Sequence, residues 1–352
     1  MATLISSSAV SIYSSDKDTV KLSFSQVQNG VLNLYLTNQQ SFDLTNLTLV
    51  RIGNDLSGSL VDSSGNKSNF LIQNEYTGSS PIATVNIFTN PSSPYISSGI
   101  LTPSSSGNLF YAGTTSSTIF SGNAISGLNS TFIFGNGQND KINTITGVQF
   151  TVFEPSNTLS TVYYPNNYQT YTLKSTFSNN SISKTTISST PSPSLTTTDV
   201  LYNVQRIEFP NVGIAYDVNG NAGTVAKFIG VLFGGSAVKT VTVQNYTYAS
   251  IGLTLIDSGL SQDSIMQFGL NAVLGFGFSN SDEVQLLFKN LLNAAPSPSD
   301  LAFWTNSIDS GQFTQSSLAI MAANTSFNTT NINLTGLQTK GLFYIPSQAA
   351  FF

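Results

Sequence analysis

Ionised side chains are scarce in this chain: Asp, Glu, Lys and Arg make up 8% of its 352 residues, about a third of the roughly 25% usual in globular proteins. Ser, Thr, Asn and Gln supply the polarity instead. A surface built of neutral polar groups lacks the repulsion that keeps soluble molecules apart, and so favours close packing between copies. The 12 basic residues are scattered, and the net charge is −5. Nucleic-acid binding needs a clustered positive face, so that class is excluded.

Cysteine and histidine are absent altogether. Without cysteine there are no disulfides, no thiolate nucleophile and no Cys-ligated metal. Without histidine the commonest general base and transition-metal ligand are missing, and a Ser-His-Asp triad cannot be built. Long apolar runs are missing too. Nothing reaches the 18 or so residues of a membrane span, and MATLISSSAVSIYSSDKD at residues 1–18 lacks the basic stretch and unbroken apolar core of a cleavable signal. Export, if it occurs, is expected to use a signal that is not removed from the N-terminus.

What is present falls into two textures, which predicts an α+β protein with segregated domains. Residues 1–220 read as β. Val20, Leu22 and Phe24, then Leu32, Leu34 and Leu36, then Ala83, Val85 and Ile87, and later Val148, Phe150 and Val152 alternate with polar neighbours. Turn signals recur between them, at Asn29-Gly30, Ser64-Gly65-Asn66, Asn90-Pro91 and Asn166-Asn167. Alternation bounded by turns predicts a sandwich-like antiparallel domain. A subdivision near 105–150 is marked by Gly107, Gly113, Gly122, Gly127 and Gly135 between short apolar runs. Hairpins of the same sandwich are expected there, with a short β-solenoid as the alternative. Pro191 and Pro193, in a Ser/Thr-rich stretch, predict an exposed loop before strands resume at Val200.

From 221 to 345 the period changes to 3.6, predicting an α-helical bundle, with 346–352 as a tail. Val225, Phe228, Ile229, Leu232 and Phe233 form one apolar stripe, and Val284, Leu287, Phe288, Leu291 and Leu292 repeat it 59 residues later. Ile256-Asp257-Ser258-Gly259 recurs as Ile308-Asp309-Ser310-Gly311, 52 residues on. The spacing predicts a unit used twice. In each copy the glycine ends a helix in the left-handed conformation, and Ser261 or Thr314 caps the next. Asn280 ahead of Glu283 predicts another cap, Ser297-Pro298 a helix start, and Trp304 a core position.

The opening of this half, DVLYNVQRIEFPNVGIAYDVNGNAG, resembles a recurrent segment of bacterial RTX-type secreted proteins. Asp199, Leu201, Asn203, Val204, Arg206, Phe209, Ala215, Asp217, Gly220, Asn221, Ala222 and Gly223 carry the likeness. The helices that follow resemble the phycobilisome-linker-like domain of unknown function found in such proteins and in surface-layer proteins. Gly135-Asn136-Gly137-Gln138-Asn139-Asp140 looks like one degraded copy of the calcium-binding RTX nonapeptide, with a plain Asn/Gly turn as the alternative. The resemblance implies secretion by a type I exporter and a Ca²⁺ cofactor, which would make Asn139 and Asp140 candidate ligands. The tandem Gly/Asp repeats themselves are absent.

Asp217, Asn219 and Asn221 space three oxygen-bearing side chains at positions 1, 3 and 5, as in the start of a calcium loop. They are the second candidate metal site, with an Asx turn capping a helix through Asn221 as the alternative. Of the four glutamates, Glu75, Glu154, Glu208 and Glu283, Glu283 is expected in a cap and Glu208 to point outward beside Arg206. No carboxylate pair for glycoside hydrolysis stands out, and no catalytic residue is expected. Together these readings predict an extracellular structural protein, at the bacterial cell surface, whose partner is itself in a layer or filament. The alternative is a secreted adhesin for polysaccharide.

Overall fold

The computed structural model describes residues 3–6, 9–13, 20–22, 30–35, 47–61, 65, 67–73, 82–90, 93–100, 107–112, 119–121, 128–135, 139–156, 158–192, 195–239 and 243–346. β-sheets occupy the N-terminal and middle parts, and helices gather toward the C-terminus. The chain divides into two compact units. One takes in Met1–Pro165, Gln169–Ser175 and Ser183–Val204; the other takes in Asn166–Tyr168, Thr176–Ile182 and Gln205–Phe352. No helix among the described residues is long and apolar enough to cross a membrane.

In the first unit the expectation of an antiparallel sandwich gives way to mixed pairing. Strands β1 (Thr3–Ser6), β2 (Ala9–Tyr13), β3 (Val20–Leu22) and β4 (Gly30–Tyr35) come first. A meander follows, of β5 (Leu47–Ile52), β6 (Asp55–Val61) and β7 (Lys67–Ile72), and it is antiparallel as expected. Its core is Leu47, Leu49, Leu56, Leu60, Phe70 and Ile72, all fully buried. By contrast β2 and β4 pair in parallel, and so do β4 and β8 (Ile82–Asn90). β9 (Ser93–Ile100) runs antiparallel to β8 and parallel to β10 (Gly107–Ala112).

From β10 onward the chain coils. β11 (Ile119–Ser121), β12 (Leu128–Phe134), β13 (Asp140–Asn143), β14 (Gln149–Phe153) and β15 (Ser160–Tyr163) alternate between two sheets. β10, β12 and β14 pair in parallel in one sheet, and β11, β13 and β15 in the other. This is the short solenoid rather than the expected hairpins. The reason is legible in the spacing: β10, β12 and β14 start at 107, 128 and 149, and β11, β13 and β15 start at 119, 140 and 160. Each turn of about 21 residues returns the chain one strand further along, so every strand meets the strand two places on. Alternation alone cannot distinguish such pairing from a hairpin, because both bury every second residue.

Ile133, Phe150, Val152, Ile142 and Val162 fill the space between these two sheets and are 0% exposed. Phe134, Phe153 and Tyr202 stack in a row on the opposite face, their rings 4.9 and 5.0 Å apart. With both faces covered, β14 reads as a near-continuous apolar run, as parallel strands do.

The segment expected as a loop is a hairpin of β17 (Ser181–Ser192) and β18 (Leu195–Tyr202), beside β16 (Tyr171–Ser178). Ser and Thr replace apolar pairing with hydroxyl pairing across the strands: Ser188 with Thr198 at 3.0 Å and Ser189 with Thr197 at 2.9 Å. β-branched threonine favours the extended backbone. The register shifts between Ser189 and Ser192, where Pro191 falls, as a proline in a strand requires.

The second unit holds β19 (Arg206–Phe209) and β20 (Val212–Ala215) as a hairpin, joined at its edge by β21 (Leu342–Tyr344). The hairpin therefore groups with the helices, although it lies ahead of residue 220. Its helices are α1 (Asn221–Phe233), α2 (Ser236–Lys239), α3 (Val243–Asp257), α4 (Gln262–Leu274), α5 (Asn280–Leu292), α6 (Pro298–Asp309), α7 (Gln315–Ala323), α8 (Ser326–Asn331) and α9 (Leu334–Lys340).

The predicted repeat is present. α1 and α5 are 13 residues each and start 59 residues apart; α3 and α6 both end on the Asp of an Asp-Ser-Gly. Gly259 and Gly311 take φ of +87° and +76°, a conformation costly for any residue with a Cβ. Ser261 and Thr314 then accept hydrogen bonds from the Ser264 and Ser317 amides, opening α4 and α7. Ser297 caps α6, with Pro298 at its first position. The cap of α5 is Ser279 paired with Asp282, not Asn280 with Glu283, so Glu283 is released from the role expected of it. Trp304 is half-buried at the edge of the core, 6.3 Å from Phe313.

Candidate functional site

Asp217, Asn219 and Asn221 are brought to three different partners. Arg206 opens β19, is 3% exposed, and grips Asp217 bidentately, Nε to Oδ1 at 2.6 Å and Nη2 to Oδ2 at 2.8 Å. Its Nη1 donates to Asp257 Oδ2 at 3.2 Å, and its guanidinium lies 5.9 Å from the Tyr344 ring centre. Burial pushes the Arg206 pKa down, but the Asp217 carboxylate more than offsets it and the guanidinium stays charged. Asp217 Oδ2 also accepts the Ala222 amide at 3.1 Å, so Asp217, rather than Asn221, caps α1.

The Asn221 amide donates to Asp257 Oδ1 at 2.8 Å, and the Asn219 amide to the Asn180 carbonyl at 2.9 Å. With both amides donating to protein oxygens and the Asp217 carboxylate taken up by Arg206, these residues form a clasp. Glu208, expected to point outward, accepts the Tyr344 hydroxyl at 2.6 Å. The clasp thus ties β19, β21, the head of α1 and the end of α3 together through one buried cation.

Asn139 and Asp140 lie in the solenoid, and Asn136, Gly137 and Gln138 of the same motif lie outside the described residues. Asn139 is exposed with φ +61°, the Asn turn ahead of β13. Asp140 is 0% exposed and its neighbour is Glu154, 4% exposed. Burial first, then the charge of Asp140, pushes Glu154 up to about 9. Glu154 is therefore protonated at neutral pH. Gly135 makes room for the pair, since a Cβ there would overlap the Glu154 carboxyl. Ser160, beside Asp140 in register, is also fully buried.

This acid pair is the feature that sequence reasoning missed; only the coil spacing, which sets residue 140 opposite residue 154, could have located it. Enclosed as it is, it can store a proton but offers no surface to a substrate. A second buried group is Asp199, raised to about 6 by burial against hydrogen bonds from the Phe150 amide at 2.8 Å and the Tyr164 hydroxyl at 2.9 Å. Among the described residues no three acidic side chains converge as a metal-holding group. Glu75 lies outside them.

An apolar opening in the surface lies on α5 and its neighbours. Val284 and Leu287 are buried, but Phe288 and Leu291 are only partly covered and Leu292 is 45% exposed. Together with Trp304, Met321 and Phe327 they line an apolar cleft of about 180 Å³. Phe303 and Phe327 stand 61% and 58% exposed at this end of the bundle. Comparison with protein-family models, with curated proteins and with solved structures finds no match to this chain.

Proposed function

We propose that the chain is an extracellular structural protein that associates with copies of itself, as a subunit of a layer or filament on a bacterial surface, exported by a type I route. The observation that carries the reading is the open apolar stripe of α5. On α1 the corresponding Val225, Phe228, Ile229 and Leu232 are buried and Phe233 is partly covered, although they too border an apolar cleft of about 180 Å³. An apolar strip of this kind gains about 25 cal/mol for each Å² withdrawn from water. Exposed contiguous apolar surface on a soluble unit marks an interaction site. A chain with 8% charged residues lacks the like-charge repulsion that would hold two such strips apart, which favours a second copy as the occupant. The resemblance of the 199–223 segment to RTX-type proteins supports the exported location.

The test is the mass of the purified chain by light scattering, with negative-stain images, in the presence and absence of Ca²⁺. Oligomers or ordered arrays are expected. Substituting Leu292, Phe303 and Phe327 together by Ser should convert them to monomers with unchanged circular dichroism. A wild-type chain that stays monomeric at high concentration, with and without Ca²⁺, overturns the reading.

A further inference from the structure

We propose that the helical unit binds a small organic anion with an apolar body, of the class of a medium-chain carboxylate, in the cavity bordered by α1, α2, α3 and α9. This cavity measures about 350 Å³, inside the roughly 300–1,000 Å³ typical of small-molecule sites. Ile229, Leu337 and Phe343 give it an apolar lining, and Lys239, Lys340 and Tyr246 bring the polar groups. Phe343 and Tyr246 lie nearly parallel, 5.9 Å apart at 18°, a flat wall suited to an alkyl chain or a ring. The other two cavities described in this unit are about 180 Å³ each and lined almost wholly by apolar side chains. They offer nothing to orient a ligand.

The charge distribution selects an anion. No Asp or Glu occurs between Val218 and Ile256 or after Asp309, and those two segments contribute every residue of the cavity wall. Two lysines therefore share a cavity that has no acid of its own, in a chain with only 12 basic residues and a net charge of −5. Each closes its helix, Lys239 at the end of α2 and Lys340 at the end of α9. A carboxylate placed between them takes two charge-assisted contacts while its body covers Phe343 and Leu337. Neither half of such a ligand suffices alone.

Titrating the ¹⁵N-labelled full chain with sodium octanoate, sodium acetate and 1-octanol, read by amide chemical shifts, separates the two halves. Octanoate should perturb residues 229–246 and 332–343; octanol, which lacks the charge, and acetate, which lacks the apolar body, should each bind at least about tenfold more weakly. The K239Q/K340Q variant should lose octanoate binding by a similar factor, whereas K239R/K340R should keep it. Both lysines are exposed, so neither variant threatens the fold. Absence of octanoate shifts, equal binding of octanol, undiminished binding by K239Q/K340Q, or shifts confined to the two smaller cavities would each overturn the assignment.

Discussion

The two copies of the helical repeat use one template in opposite surroundings. In the first, α1 lies between two clusters. Val225, Ala226 and Ile229 pack with Leu253, Ile332, Leu342 and Tyr344, while Phe228, Val231 and Leu232 pack with Met266, Leu270 and Leu318. In the second, α5 contributes Val284 and Leu287 to the latter cluster alone. Side chains 59 residues apart register the difference: buried Ala226 answers to exposed Gln285, and buried Gly230 to exposed Lys289. Both copies also end alike, the Asn221 amide reaching Asp257 and the Asn280 amide reaching Asp309. Only the first has an arginine beside that carboxylate. A repeat can thus keep its caps and turns while its outer face is rewritten, because caps are local and coverage is not.

The sharpest way to break the comparison is to remove that arginine. Arg206→Met leaves Asp217, whose side chain is 8% exposed, buried without its counter-ion, which costs about 3–5 kcal/mol. In the second copy, which has no such arginine, Asn280→Ala removes the contacts to Asp309 and Gln315 and should cost no more than about 1 kcal/mol. Urea unfolding of both variants would show the gap; similar losses would mean the clasp is not what distinguishes the copies.

A smaller effect is expected at the Gly230 and Lys289 pair. A Cβ at Gly230 would overlap Ile332 and come to 2.5 Å from Asn328 Oδ1. Asn328 is itself held by its bonds to the Lys227 and Ala323 carbonyls. Overpacking of this kind costs about 1–3 kcal/mol, against a helix-propensity gain of about 1 kcal/mol for Gly→Ala, so Gly230→Ala should lower the melting temperature. Lys289→Ala should leave it nearly unchanged.

A further effect depends on pH. Glu283 in the second copy occupies the place of Thr224 in the first. It is fully buried, its carboxyl oxygens find no hydrogen bond among the described residues, and burial pushes it up to about 8 from the ordinary 4.5. The folded chain holds that proton more tightly than the unfolded one, so stability falls as pH rises from the unfolded value toward 8 and levels off beyond it. Glu283→Gln should flatten that limb. Melting curves between pH 5 and 9 that keep the same slope in both proteins would contradict the assignment.

Much of the helical half was legible in advance because its signals are short-range. Ser261, Thr314 and Ser297 cap neighbours three residues away, and Gly259 and Gly311 end their own helices. The stripe of α5 was equally plain, yet nothing in residues 284–292 says whether another element covers it. In the β half the alternation found strands but not their partners. Parallel pairing depends on where the chain returns, and that is written only in the 21-residue spacing. The partners of the candidate calcium residues were hidden for a related reason. Spacing at 217, 219 and 221 describes which oxygens are near in sequence, while Arg206 and Asp257, 11 and 40 residues from Asp217, decide where they point. The Asp140–Glu154 pair joins adjacent coils and has no local mark at all.

The coil between β10 and β15 also bears on how such a chain can change length. Each turn pairs with the turn before and the turn after it, through parallel ladders and a row of stacked rings. Duplicating one block of about 21 residues would therefore lengthen both sheets by a strand and leave every other pairing as it was. The molecule has a segment whose size is adjustable in whole steps, and a helical unit whose size is not.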